Sequence, residues 1–203
     1  MDEIDNLATR ICDALAGAIA TYARISGEFE ELMPEHFAVA YIMQTLGDTT
    51  CMTMESSART LWEWNRETKV RMGKSFESGN LPQALIDDCG GQRCDLVVFY
   101  GPDFSRKHTL DLFCLVELKK GHVSEADIAK INTWLPYIDT CPYGMVSSYC
   151  EVPKFDSYVR ECADKARADG HFWLEGRIAT VEVGDEEVRK FATFARYWKR
   201  QAG

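Results

Sequence analysis

The 203-residue chain has no run of apolar residues approaching the roughly 20 that a membrane-spanning helix requires, and Met1 is followed by the acids Asp2, Glu3 and Asp5 where a secretory leader would be basic. Both absences predict a cytoplasmic protein without membrane association. Close cysteine pairs are missing as well. Eight cysteines are scattered from Cys12 to Cys162, and neither Cys89/Cys94 nor Cys141/Cys150 has the two-residue spacing of a zinc knuckle or a redox pair. Several, such as Cys12 and Cys114, lie inside apolar patterns, so buried free thiols are expected. No internal repeat, low-complexity tract or glycine-rich phosphate loop is present. Bulk positive charge is also lacking: 23 Lys and Arg face 32 Asp and Glu, for a net charge of −9, so any contact with a polyanion must rest on local basic clusters and bound cations.

What is present reads as an α/β chain folded as one unit over residues 1–203. Leu7, Ile11, Leu15, Ala18 and Tyr22 recur at helical spacing and predict an N-terminal helix over about 3–22. Pro34 at a first-turn position, followed by Val39, Ile42, Met43 and Leu46 up to Gly47, predicts a second. Residues 49–56 read as a strand, 62–91 as an insertion carrying a short helix near 81–88, and Leu96–Tyr100 with Leu112–Val116 as adjacent antiparallel strands. Ser124 and Asp127 form a capping-box pattern before the stripe Ile128, Ile131, Leu135, for a helix that ends near Pro136. A strand at 144–149, a helix at 155–168, a strand at 177–183 and a last helix from Glu186 complete the expectation, which is a mixed sheet covered by helices.

Side chains alternate across a strand, so Glu117 and Lys119 share one face while Cys114, Val116 and Leu118 take the other. The run Phe113–Val116 is apolar on both faces, as in the middle of a covered sheet, and charges at its end call for a reason. Asp95 opens the neighbouring run Asp-Leu-Val-Val, and hairpin pairing brings its carboxylate toward Glu117. Two carboxylates are hard-oxygen ligands suited to Mg²⁺ or Mn²⁺, and a lysine beside them stabilises charge on a phosphoryl group, a set suited to phosphodiester hydrolysis.

The segments Arg93-Cys94-Asp95-Leu96-Val97-Val98 and Val116-Glu117-Leu118-Lys119-Lys120 resemble the strand pair of the PD-(D/E)XK nucleases, with Cys94 at the place of the proline. The resemblance spans roughly residues 34–149. It implies a restriction-endonuclease-like mixed central sheet with helices on both faces, catalytic roles for Asp95, Glu117 and Lys119, metal ligation by Asp95 and Glu117, and Mg²⁺, replaceable by Mn²⁺, as cofactor. It also aligns Glu35, on the preceding helix, with the catalytic set and Glu55, closing the first strand, with the metal ligands. The residues leave both open: Glu35 either faces the sheet or complements its helix dipole, and Glu55 is equally a strand-end surface acid. The implied substrate is nucleic acid, DNA before RNA. A fold of this type that binds or assembles without turnover stays an alternative, as does a hydrolase of other phosphoesters. A homodimer is compatible but nothing indicates one.

An isolated E-x-K triplet arises by chance in a chain of this size, and a salt bridge between Glu117 and Lys119 is its bland explanation. His36 and His108 have no second histidine at ligand spacing. Basic residues cluster at Arg66, Lys69, Arg71 and Lys74 and again at Arg189, Lys190, Arg196, Lys199 and Arg200, either as phosphate contacts or as solvated faces.

Overall fold

The first helix, α1 (Glu3–Ser26), carries acids in its first turn and Arg24 in its last, each sign suited to the helix dipole. Its buried side includes Ile4, Leu7, Ile11, Leu15 and Ile19, and the alanines between them allow a close approach to the sheet. These assignments come from a computed structural model that describes residues 2–26, 33–74, 81–100, 111–121, 123–152, 155–183 and 187–201. After α1 come α2 (Glu35–Leu46), β1 (Met52–Ser57), α3 (Ala58–Arg71), α4 (Gln83–Cys89), β2 (Arg93–Phe99) and β3 (Leu112–Lys120). The order continues with α5 (Glu125–Trp134), β4 (Tyr143–Glu151), α6 (Phe155–Ala168), β5 (Phe172–Val183) and β6 (Glu187–Lys199). Among the described residues no helix is long and apolar enough to cross a membrane.

The six strands form one mixed sheet in the order β1-β2-β3-β4-β6-β5, parallel only between β3 and β4. Between those two strands the chain passes through α5, the crossover that a parallel pair needs. One core packs α1 and α2 against Leu96, Val98, Val116 and Leu118; the other packs α3, α4 and α5 against Val97, Leu115 and Val146. Helices therefore cover both faces. Gly144 and Gly176 permit this closeness, since a Cβ on Gly144 would lie 2.7 Å from the Ile131 side chain of α5 and one on Gly176 would lie 2.5 Å from Cys12 of α1. Seven of the eight cysteines are buried and all are free, as the scattered spacing predicts.

The helix expected from Glu186 is instead β6, an interior strand between β4 and β5. Phe191, Phe194 and Trp198 do fall at helical spacing, but every residue from Phe191 to Trp198 is buried. A strand packed on both faces has no polar alternation to betray its period, so three aromatics mimic a helical stripe. Its neighbour β5 starts at Phe172, ahead of the expected residue 177.

Of the stretch expected as an insertion, residues 62–71 belong to α3 and residues 83–89 form α4. Leu61, Trp62, Leu85 and Cys89 enter the second core. Asn65, almost wholly buried on α3, donates to Tyr137 O and Asp139 Oδ1 at 3.0 Å each and accepts from the Thr140 amide and hydroxyl. All its polar atoms are thereby satisfied, and α3 is tied to the loop after α5.

Candidate functional site

The ladders of β2 define the site. Toward β1 its pairing continues through Ser56↔Cys94 to Ser57↔Arg93, whereas toward β3 it ends at Leu96↔Val116. Beyond that point β3 stays paired with β4 as far as Lys120↔Tyr149. A wedge therefore opens between β2 and β3 where the charged residues lie. Asp95 fills part of it: its Oδ2 accepts the Leu118 amide at 2.8 Å, standing in for the missing strand carbonyl. The Cys94 thiol donates into the same gap, to Val116 O at 3.6 Å.

Glu117 is 1% exposed at the end of the apolar run of β3. Its Oε1 accepts from Lys130 Nζ at 2.7 Å and lies 3.4 Å from Lys119 Nζ, while its Oε2 is buried without a hydrogen-bond partner. Burial, and then the nearby Asp95 charge, push its carboxyl up to about 7 against the pull of both lysines. Lys119 also lies 3.9 Å from Glu35 Oε2 and 3.8 Å from Asp127 Oδ1. Burial works to lower the Lys119 pKa, but Glu117, Glu35, Asp95 and Asp127 together outweigh it and hold the ammonium protonated.

Of the residues singled out by sequence, Asp95, Glu117, Lys119 and Glu35 thus meet at one end of the sheet. Glu35 approaches from the first turn of α2, where it serves the helix dipole and reaches the lysine at once. Glu55 is different. The pairs Met54↔Leu96 and Ser56↔Cys94 set it opposite Asp95, in the same cross-strand row as Glu117, yet its φ of 53° lies in the left-handed region and its carboxylate is 3.8 Å from exposed His36. Such a backbone is costly for a residue with a long side chain, and it breaks the strand alternation at this point. Among the described residues, no three His, Cys, Asp or Glu side chains are gathered closely enough to hold a metal ion as they stand.

Lys130 is the member that sequence reasoning missed. Besides Glu117 it donates to Arg93 O at 2.7 Å, so it bridges the wedge between β2 and β3. Its signal was its position between Ile128 and Ile131 on the helix directly after the E-x-K strand, a cation beside an inward stripe. The capping box expected at Ser124 and Asp127 is present, and Asp127 does double duty by facing Lys119.

The two basic clusters are absorbed only in part, since Lys74, Lys190 and Lys199 are exposed. Lys69 pairs with Asp139 and Arg71 with Asp111, and the Arg66 guanidinium sits over the Trp62 ring. Arg196 is buried within the sheet. His108 lies outside the described residues. Comparison of the chain with protein-family models, with curated proteins and with solved structures returns no match.

Proposed function

We propose that this chain is a Mg²⁺-dependent nuclease of the PD-(D/E)XK type, hydrolysing phosphodiester bonds and acting on DNA in preference to RNA. The observation that carries the reading is Glu117: a carboxylate buried at the end of a central strand, one oxygen gripped by two lysines and the other without a partner. A buried anionic oxygen left unpaired is destabilising, and a hard cation satisfies it. Asp95 is the second oxygen donor, and Glu55, opposite it in the strand register, is the third. The order α2, β1, β2, β3, α5, β4, with α3 and α4 inserted between β1 and β2, antiparallel through β3 and then parallel, supports a restriction-endonuclease-like fold.

A divalent cation held by Asp95 and Glu117 would polarise a phosphoryl oxygen and supply a nucleophile at neutral pH. The protein's own groups do the rest. Lys119, kept protonated and about one-quarter exposed, places a positive charge on the solvent side of Glu117, where an incoming phosphate would develop negative charge. Lys130 holds the Glu117 carboxylate in a single orientation from the protein side, with its unpaired oxygen turned away from the ammonium. Glu35 and Asp127 fix the Lys119 ammonium between them.

A second reading is an inactive scaffold of the same fold, which binds or assembles without turnover. What favours it is the neutralisation of one Glu117 oxygen by two lysines and the turning of Glu55 toward His36. Calorimetric titration with Mn²⁺, together with cleavage assays on duplex DNA, single-stranded DNA and RNA, separates the two. The nuclease reading expects metal binding and cleavage that chelator abolishes. No cleavage of any of the three under saturating metal would refute it, and metal binding without turnover would establish the scaffold.

A further inference from the structure

Beside the carboxylate site lies a cavity of about 640 Å³ bounded by the first turn of α3, Gln83 and Ile86 of α4 and the Gly90–Arg93 turn that leads into β2. Its lining includes Arg59, Arg93, Gln83 and Gln92 and, among the described residues, contains no Asp or Glu, in a chain where acids outnumber bases by 32 to 23. Both arginines keep charge to offer. Arg93 donates at 3.1 Å to a neutral carbonyl, Glu55 O, and Arg59 meets Glu63 only in an exposed pair at 3.5 Å on one helix, a contact that solvent largely screens.

The cavity and the carboxylate site meet at Arg93. Its main-chain carbonyl accepts Lys130, which holds Glu117; its guanidinium reaches the backbone of Glu55; and its side chain lines the cavity. Gly91, with a φ of 90°, turns the chain there with open space around it, so the backbone can be approached closely. The first turn of α3 adds the positive end of a 14-residue helix.

We infer that this cavity is the binding track for the nucleic-acid strand on one side of the scissile phosphodiester, with Arg59 and Arg93 each contacting a backbone phosphate and the glutamines adding neutral donors. The inference rests on the nuclease reading for what lies at the Glu117 end; the track itself is defined by charge and shape. A strand laid here runs from a cation-lined surface with no acid among its described residues to a centre that holds Glu117, Asp95, Glu35 and Asp127. Grip and chemistry are thereby separated: the anionic centre needs a bound cation before it can accept a phosphate, and the arginines do not. Contacts to phosphates carry no base information, so the track is sequence-tolerant.

The test measures binding of a fluorescent 12-nucleotide single strand by anisotropy, with Ca²⁺ in place of Mg²⁺, across a salt series. R59Q/R93Q should weaken binding about tenfold at low salt and shrink the slope of log K against log salt by about 1.4, the value for two lost contacts to a single strand. The control R160Q/R167Q removes the same charge from exposed positions on α6 and should change neither quantity by a comparable amount. Both arginines of the track are exposed, so melting curves of R59Q/R93Q should match the parent and exclude misfolding as a cause. Equal weakening in the two double variants would overturn the track, as would unchanged binding in R59Q/R93Q or no binding by the parent. Displacement of the strand by inorganic phosphate at equimolar concentration would also overturn it, revealing a simple anion site. Failure of the nuclease reading is seen separately: strand binding that depends on Arg59 and Arg93, with no cleavage in Mg²⁺, leaves the track standing and removes the chemistry.

Discussion

Two buried charges of opposite sign flank Val146 in one row across the sheet, Glu117 on β3 and Arg196 on β6. They are about 10 Å apart, two strand spacings, and both turn toward the face covered by α5. Neither uses the other. Arg196, 3% exposed, is supplied by the loop after α6 and the start of α5: Nη2 meets Asp169 at 2.5 Å, Nε donates to His171 Nδ1 at 3.0 Å, and Nη1 lies 3.9 Å from Glu125. Each of its nitrogens has an acceptor or an anion close by. Glu117 is buried to the same degree but keeps an unpaired oxygen. Similar burial with different satisfaction distinguishes a charge that closes a structure from one that is held ready for something else.

Removing the acid gives the largest expected effect. Glu117→Gln keeps the side-chain volume and exchanges the anionic oxygens that the nuclease reading assigns to the metal for a neutral amide, so on that reading Mn²⁺ binding and cleavage should both fall by more than about 10²-fold. Asp95→Asn should do the same. Calorimetry and single-turnover cleavage report the two quantities, and normal values of both in either variant would remove that residue from the ligand set.

Next is Lys119→Ala, which the nuclease reading expects to slow turnover by about 10²-fold while metal remains bound, because an ammonium cannot ligate a cation and would act on the phosphate instead. Parental turnover at saturating Mg²⁺ would reduce Lys119 to the partner in an ion pair.

On the other side of Val146, Asp169→Ala should cost stability and leave the chemistry alone. It deprives buried Arg196 of its shortest contact, but Asp169 is half-exposed, so the loss is reduced to about 1–2 kcal/mol. The melting temperature should fall while cleavage per folded molecule stays constant. A fall in turnover matching that of Lys119→Ala would mean that the two buried charges are coupled after all.

The comparison sharpens with pH. Because the Glu117 carboxyl is raised from 4.5 to about 7, chiefly by burial, the folded state binds its proton more tightly than the unfolded chain does. The resulting contribution to stability is complete below about 4.5 and is lost as pH rises through about 7. Melts in chelator from pH 5 to 8 should therefore show the parent losing stability relative to Glu117→Gln as pH increases. Added Mn²⁺ should reverse the trend, since the cation competes with that proton. Identical pH dependence in the two proteins would contradict the raised value.

Much of this site could be read from the chain itself. Period-two alternation placed Glu117 and Lys119 on one face, and the hairpin of β2 and β3 brought Asp95 to them. What escaped has physical causes. Lys130 lies 13 residues beyond Glu117 on another element, and only the angle at which α5 crosses the sheet decides whether it reaches Glu117 or solvent. The strand character of β6 was hidden because burial on both faces erases alternation. The halt of the β2–β3 ladder at Leu96↔Val116 left no mark in residue type, since it depends on where two backbones diverge.

The smallest effect concerns Glu55, whose left-handed backbone sits opposite Asp95 in the strand row that also holds Glu117. For a residue with a Cβ that conformation costs about 1–2 kcal/mol, and glycine adopts it freely at an entropic penalty of about 0.5–1 kcal/mol in the unfolded chain. Glu55→Gly should therefore stabilise the protein by about 0.5–1 kcal/mol, seen as a higher melting temperature in chelator. Nothing in the exposed contact with His36 opposes that gain, because a pair at 3.8 Å between solvated groups contributes little. If the strain is retained because this carboxylate completes the ligand set, the stabilised variant should also bind Mn²⁺ more weakly and cleave more slowly. Higher stability with unchanged Mn²⁺ affinity would show Glu55 to be a surface acid on a bent strand, and Asp95 and Glu117 would then be the whole acidic contribution of the sheet to the metal.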